Sequence, residues 1–126
     1  MIGIIYESNR KMRQLIGVVG PCGAGKTTLI ASLRQAGYEA RHIAQEHSYV
    51  KDMWKRLTNP DILVYLHVSY PLTMSRRRMD WTEKEYEEQL NRLRHARQYA
   101  DVYVDTDELS QQQVLDIVLR FIRESN

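Results

Sequence analysis

Apolar positions fall along this chain in short clusters whose spacing alternates between strand-like and helix-like. Residues 15–19 form an apolar run set between Gly17 and Gly20 punctuation, which predicts a strand buried on both faces. Residues 26–36 then put Leu29, Ile30 and Leu33 on one face at helical spacing and stop at Gly37, a good C-terminal cap. Residues 39–44 are a second, weaker strand, followed by the polar stretch Gln45-Glu46-His47-Ser48. Tyr49, Val50, Met53, Trp54 and Leu57 recur at helical spacing between a Ser48 cap and an Asn59-Pro60 stop, predicting a short amphipathic helix. The strongest strand signal in the chain is the run from Ile62 to Val68.

Beyond it, Pro71 suits a first helical position, and residues 72–79 form a helix carrying Arg76-Arg77-Arg78. Asp80-Trp81 breaks the pattern. Thr82 and Glu85 have capping-box spacing and open a long charged helix to about Gln98, with Tyr86, Leu90 and Leu93 as its apolar stripe. Residues 100–104 are the last strand, and Ser110 with Gln113 opens a final helix bearing Val114, Val118, Phe121 and Ile122. Residues 1–13 read as an edge strand or a loose arm. Strands alternating with helices, with no hairpin signal, predict an α/β fold: a three-layer α/β/α sandwich around a short, mainly parallel sheet joined by right-handed crossovers.

Length and composition narrow the setting. A chain of 126 residues is one domain, 1–126, since two cores would each be too small. With 43% hydrophobic and 27% charged residues it has the makings of a packed globular core. A formal charge of +2 gives no general argument for a nucleic-acid or membrane surface, so nucleic acid is not an expected partner. One cysteine and no leader-like pattern point to a reducing cytoplasm, and the longest apolar run, 62–66, is far below the roughly 20 residues a membrane-spanning helix needs.

The chemistry is concentrated in one segment. Gly20-Pro21-Cys22-Gly23-Ala24-Gly25-Lys26-Thr27 fits Gly-x-x-x-x-Gly-Lys-Ser/Thr at every fixed position, and it follows a buried strand and opens a helix, as a phosphate-binding loop must. Glycines let successive N–H groups turn around a phosphate, and the positive end of the helix adds attraction. In this scheme residues Gly20 to Thr28 hold the phosphates, Lys26 reaches the β- and γ-phosphates, and the Thr27 hydroxyl is a ligand of Mg2+. Cys22, inside the loop, reads either as a bystander or as a thiol activated by the helix terminus.

With this loop in place, the chain resembles the P-loop kinases of nucleosides, nucleotides and related small molecules, the adenylate kinase-like group. Residues 60–69 are similar to the family strand leading to an arginine-bearing helix, here Arg76 to Arg78. Residues 99–107, then Leu109-Ser110 and a helix, resemble the last strand and the base-side loop. The resemblance implies the P-loop NTPase fold, ATP with Mg2+, and base contact by Thr106, Asp107 and Glu108; Asp105 and Asp107 also fit a plain turn with helix capping. An Asn-Lys-x-Asp segment for guanine is lacking in the sequence, which favours ATP over GTP.

Arg76 and one neighbour, taken as Arg77, would stabilise charge on the transferring phosphate, although a solvated face accounts for the cluster as well. Where relatives often end the apolar strand in Asp, this chain has His67, read as a partly buried strand residue with a hydrogen-bond partner. Glu46 is the substitute acid for metal or catalysis, with His47 beside it as an alternative proton acceptor. Two functions remain open. One is a small-molecule kinase moving the ATP γ-phosphate to an unidentified acceptor. The other is a nucleotide-binding or slowly hydrolysing regulatory module that acts on a protein partner through the Tyr49, Met53, Trp54 surface.

Overall fold

The computed structural model describes residues 14–77 and 79–125, so the arm expected over 1–13 lies outside the described residues. Four strands form one sheet: β1 (Leu15–Val19), β2 (Glu39–His42), β3 (Ile62–His67) and β4 (Val102–Asp105), in the order β2-β1-β3-β4. Every pairing is parallel, with Ile16 opposite both Ala40 and Ile62, and Val64 opposite Val102. The helices are α1 (Lys26–Gln35), α2 (Tyr70–Arg77), α3 (Glu83–Arg92), α4 (Arg94–Tyr99) and α5 (Gln111–Ser125).

Alternation along β3 explains why its sequence is apolar without a break. Ile62, Val64 and Leu66 face a core shared with Leu29, Ile30 and Leu33 of α1 and Val114, Val118 and Ile122 of α5. Leu63 and Tyr65 face the opposite core, made with Trp54, Leu93 and Ala96. Both faces of the sheet are therefore covered, the α/β layering that the pattern predicts. Burying each large aliphatic side chain contributes about 1.5–3 kcal/mol, so β3, buried at Ile62 through Leu66, is the heaviest single contributor among the strands.

All four strands run the same way, so their carboxyl ends deliver Gly20, Ile43, Val68 and Thr106 to one edge of the sheet, the usual place for a ligand in a parallel sheet. Gly20 leaves β1 at φ 152°, and a Cβ there would lie 2.1 Å from the Leu66 carbonyl oxygen. No other residue fits that crossing.

Both capping boxes form. The Thr82 hydroxyl accepts from Glu85 N while Glu85 accepts from Thr82 N, each at 3.1 Å. Ser110 and Gln113 make the same exchange at the start of α5.

The last strand begins at Val102 rather than Ala100 and α2 at Tyr70 rather than Leu72, and three further elements differ. Strand β2 ends at His42 rather than Ala44. The long helix breaks at Leu93, which joins α3 to α4. The helix expected over Tyr49 to Leu57 is a turn followed by a π-helical turn, Trp54–Thr58, because the Gln45 side chain takes up local backbone groups: its Oε1 accepts from Trp54 N at 2.9 Å and its Nε2 donates to the Val50 carbonyl at 2.8 Å. Ser48 caps no helix; its hydroxyl accepts from Val50 N. Consequently Tyr49, Val50 and Leu57 are exposed, and only Trp54 of the expected apolar face is buried. Among the described residues, no helix is long and apolar enough to cross a membrane.

Tyr86 fastens α3 to the end of β3. Its hydroxyl donates to the Val68 carbonyl at 2.7 Å, and Trp81 meets its ring edge-on. Burial, and next the Glu87 carboxylate, push this phenol up to about 12 from its ordinary 10.0. The folded chain therefore holds the proton more tightly than the unfolded one. That contribution is complete below about pH 10 and is lost as pH rises through about 12. Urea unfolding of wild type and Tyr86→Phe across this range checks it: Tyr86→Phe, with no phenolic proton to lose, is expected to show the smaller alkaline loss of stability. Parallel losses would refute this role.

Candidate functional site

The loop between β1 and α1 turns on Gly23 and Gly25, both at positive φ, and closes with Ala24 N donating to the Pro21 carbonyl at 3.2 Å. Gly25 occupies the N-cap of α1 in a left-handed conformation and supplies no side-chain cap. The first N–H groups of α1 therefore lack a side-chain acceptor, and the positive end of the helix faces the loop.

Lys26, in the first turn of α1, is 7% exposed and curls back over the loop. Its ammonium donates to the Gly20 carbonyl, to the Pro21 carbonyl at 3.3 Å and to Glu46 Oε2 at 2.6 Å. Glu46 comes from the short 3-10 turn Gln45–His47 just beyond β2, the strand beside β1, and is 2% exposed. His42 Nε2 stands 3.6 Å from the same carboxylate oxygen. The other oxygen, Oε1, is buried without a hydrogen-bond partner. A carboxylate this deep normally has its lone pairs taken up, so Oε1 is open to a donor or a cation.

These groups open onto one cavity of about 690 Å3. Residues 22–29 form its floor, Glu46, His42 and His47 one side, and Arg76 with Thr106 another. Leu109 and Val114 add an apolar wall. Arg76 of α2 is held in place: its guanidinium donates to Thr106 Oγ1 at 2.9 Å and to the Thr106 carbonyl at 2.6 Å, while Thr106 is anchored by donating to the His67 carbonyl at 2.8 Å. The structure thus gathers the loop, Lys26, Thr27, Thr28, Glu46, Arg76 and Thr106 around a single space.

Other candidates lie apart. Asp107 does not line the cavity; its Oδ1 accepts from Ser69 N at 2.8 Å, bracing the turn after β3, and its own N–H donates to Asp105. This fits the turn alternative for the two acids. His67 lies on the Leu63 and Tyr65 face by strand alternation, stacked on Tyr103. The hydrogen-bond partner expected for its ring is missing at Nδ1, which is buried without one. The side chain of Arg77 lies outside the described set, as does Arg78 entirely.

Two buried glutamines went unrecognised in the sequence. Gln89 of α3 clasps Cys22, accepting from Cys22 N at 3.0 Å through Oε1 and donating to Sγ at 3.2 Å through Nε2. Gln45 is fully buried and, besides its two local bonds, donates to the Arg92 carbonyl at 3.3 Å. Arg92 in turn donates to the Glu46 carbonyl at 3.3 Å and lies over the Tyr49 ring. Helix α3 therefore braces both loops of the site. The available signal was positional: Gln89 lies three residues after Tyr86 and four before Leu93, a polar residue on the buried stripe.

Removing one member of a buried ion pair strands the other in a poor dielectric. Lys26→Met is expected to cost about 3–5 kcal/mol in urea unfolding, and the double change Lys26→Met/Glu46→Gln to recover most of it. A double variant as unstable as the single one would show that the pair is not the source. Set against known proteins, the chain matches no family model and no curated sequence, which leaves the geometry of the site to carry its function.

Proposed function

We propose that the chain has the P-loop NTPase fold and binds Mg-ATP, and that it passes the γ-phosphate to a small acceptor, as a minimal member of the nucleoside and nucleotide kinase-like group. One observation carries this: a glycine-rich loop at a helix N-terminus, a buried lysine, an under-satisfied carboxylate and a tethered arginine meet in one cavity. Together they match the needs of a polyphosphate with its counter-ion.

Each residue has a role that its position supports. Lys26 exchanges the Gly20 and Pro21 carbonyls for phosphate oxygens, and the N–H groups of Gly23 and residues 25–28 serve the phosphate chain, those of Cys22 and Ala24 being taken by Gln89 and the Pro21 carbonyl. The Thr27 hydroxyl and Glu46 Oε1 are the donors that would hold Mg2+, whose part is to neutralise phosphate charge. The guanidinium of Arg76, already oriented by Thr106, supplies the fork that stabilises charge on the transferring group. The base lies toward Leu109 and Val114, beside the Thr106 backbone.

A regulatory module that binds or slowly hydrolyses nucleotide is favoured instead by the few residues, 79–82 among those described, that stand where a lid would. Trp81 there is tied down, with its indole N–H donating to Thr73 Oγ1 at 2.8 Å and its carbonyl accepting from Tyr70 at 2.6 Å. The partner surface would then be Tyr49, Val50 and Leu57, since Trp54 is buried.

Calorimetric titration separates these ideas. Wild type is expected to bind Mg-ATP more tightly than Mg-GTP, and Lys26→Ala to lose at least tenfold in affinity; no nucleotide binding by wild type would overturn both. Arg76→Ala is expected to lower turnover about 100-fold with a smaller effect on binding. If neither an acceptor panel nor water takes phosphate, the regulatory module stands and the kinase does not.

A further inference from the structure

Cys22 contributes nothing to the phosphate scheme beyond its backbone, yet its side chain does not face away from the site. One donor atom each from Cys22, Glu46 and His47 lie within 4.8 Å of one another. This is a thiol, a carboxylate and an imidazole, brought together from the phosphate loop and the turn after β2. Magnesium does not seek such a set, because thiol and imidazole are soft or borderline donors. A second feature points to a ligand: Glu46 is 2% exposed and its Oε1 is buried with no hydrogen-bond partner.

From this juxtaposition we propose a regulatory site for a thiophilic divalent cation of the zinc type, held by Cys22, Glu46 and His47 in the lining of the same cavity. Zinc bonds of about 2.0–2.3 Å place tetrahedral donors roughly 3.5 Å apart, so donors within 4.8 Å need about 1 Å of closure. His47 is exposed and can turn inward, whereas Glu46 is fixed by Lys26 and Cys22 is half-buried and oriented by Gln89. A fourth position falls to water or to His42, which lines the cavity and approaches Glu46.

Binding forms a metal–sulfur bond, and the Cys22 thiol gives its proton to solvent with no change of oxidation state. The resulting thiolate cancels one of the cation's two charges, so the site beside the Lys26 ammonium gains one net positive charge rather than two. The metal site itself is independent of nucleotide chemistry. Its regulatory consequence rests on the proposed function: the cation pins the phosphate loop to the 45–47 turn and occupies Glu46 Oε1, so it excludes Mg-ATP.

Cobalt titration of the reduced full chain, with no nucleotide present, tests the site. Expected are a sulfur-to-cobalt charge-transfer band in the near ultraviolet and tetrahedral visible bands, saturating at one metal per chain, with the protein monomeric by sedimentation and the cobalt displaced by zinc. His47→Ala and Glu46→Gln should each weaken binding tenfold or more, while His95→Ala, on the far helix α4, should not. With one cysteine per chain, half a metal per chain in a dimer would mean bridging between two molecules and would overturn the proposal. So would absence of the band, or affinity unchanged in His47→Ala. Zinc is then expected to weaken Mg-ATP binding at least tenfold in wild type and to have less effect in His47→Ala. Metal binding without any nucleotide binding would refute the proposed function and leave the metal site intact, whereas joint occupancy without competition would overturn the regulatory claim.

Discussion

The Lys26 ammonium and the Glu46 carboxylate are both withdrawn from water, and each is tolerable there only because of the other. An isolated charge at that depth would cost several kcal/mol, so the pair constrains everything that places it. The two residues lie at the exits of β1 and β2. They meet because those strands are parallel neighbours whose carboxyl ends open on the same edge. That arrangement requires β1 to pass close to β3 as it leaves the sheet, and Gly20 against the Leu66 carbonyl is the residue that allows it. A glycine that reads in the sequence as a phosphate-binding feature is therefore first a packing requirement of the sheet. The glycine-rich loop begins where β1 has no other way out.

The pair alone does not hold its loops. Helix α3 supplies what the strands cannot: Gln89 clasps the phosphate loop at Cys22, and the Arg92 side chain and backbone reach Glu46 and Gln45. Tyr86, one turn earlier, joins the same helix to the end of β3. Polar contacts from three residues on successive turns thus connect one helix to three loops at the sheet edge. Motion of α3 would disturb both charged partners together, and displacement of Glu46 would in turn pull on Gln45, which holds the backbone of Val50 and Trp54. The exposed 49–57 segment is mechanically continuous with the site acid.

Strand and helix types were legible wherever burial imposed a period. The unbroken apolar run of β3 announced a strand covered on both sides, and the Thr82 and Ser110 capping boxes announced the starts of α3 and α5. The strand–loop–helix junction at 15–35 was legible because the glycine spacing there is rigid. The 49–57 segment misled for a physical reason: its apolar residues do have helical spacing, but a fully buried glutamine four residues upstream competes for the backbone groups that a helix would use. Asp107 stayed open in the sequence, since a carboxylate just past a strand serves a turn as well as a ligand; its Oδ1 accepts from Ser69 N. Arg76 was ambiguous from a run of three arginines, and only the Thr106 contact shows that its guanidinium is held at the cavity.

The charges of the site also decide what kind of ligand it can take well. An anion alone draws Lys26 toward itself and leaves the Glu46 carboxylate buried with a weakened partner. A hard cation alone satisfies Glu46 Oε1 but sets a second positive charge beside the ammonium. A ligand carrying both signs, a polyphosphate with its metal, satisfies Lys26 and Glu46 at once, so the two halves favour each other's binding without any movement of the sheet. A thiophilic cation comes closer to balance than a hard one, because Cys22 becomes a thiolate on coordination and cancels one of its two charges. The two solutions share Glu46 and cannot coexist on it. Competition between them follows from one carboxylate oxygen, buried beside a lysine and left without a partner.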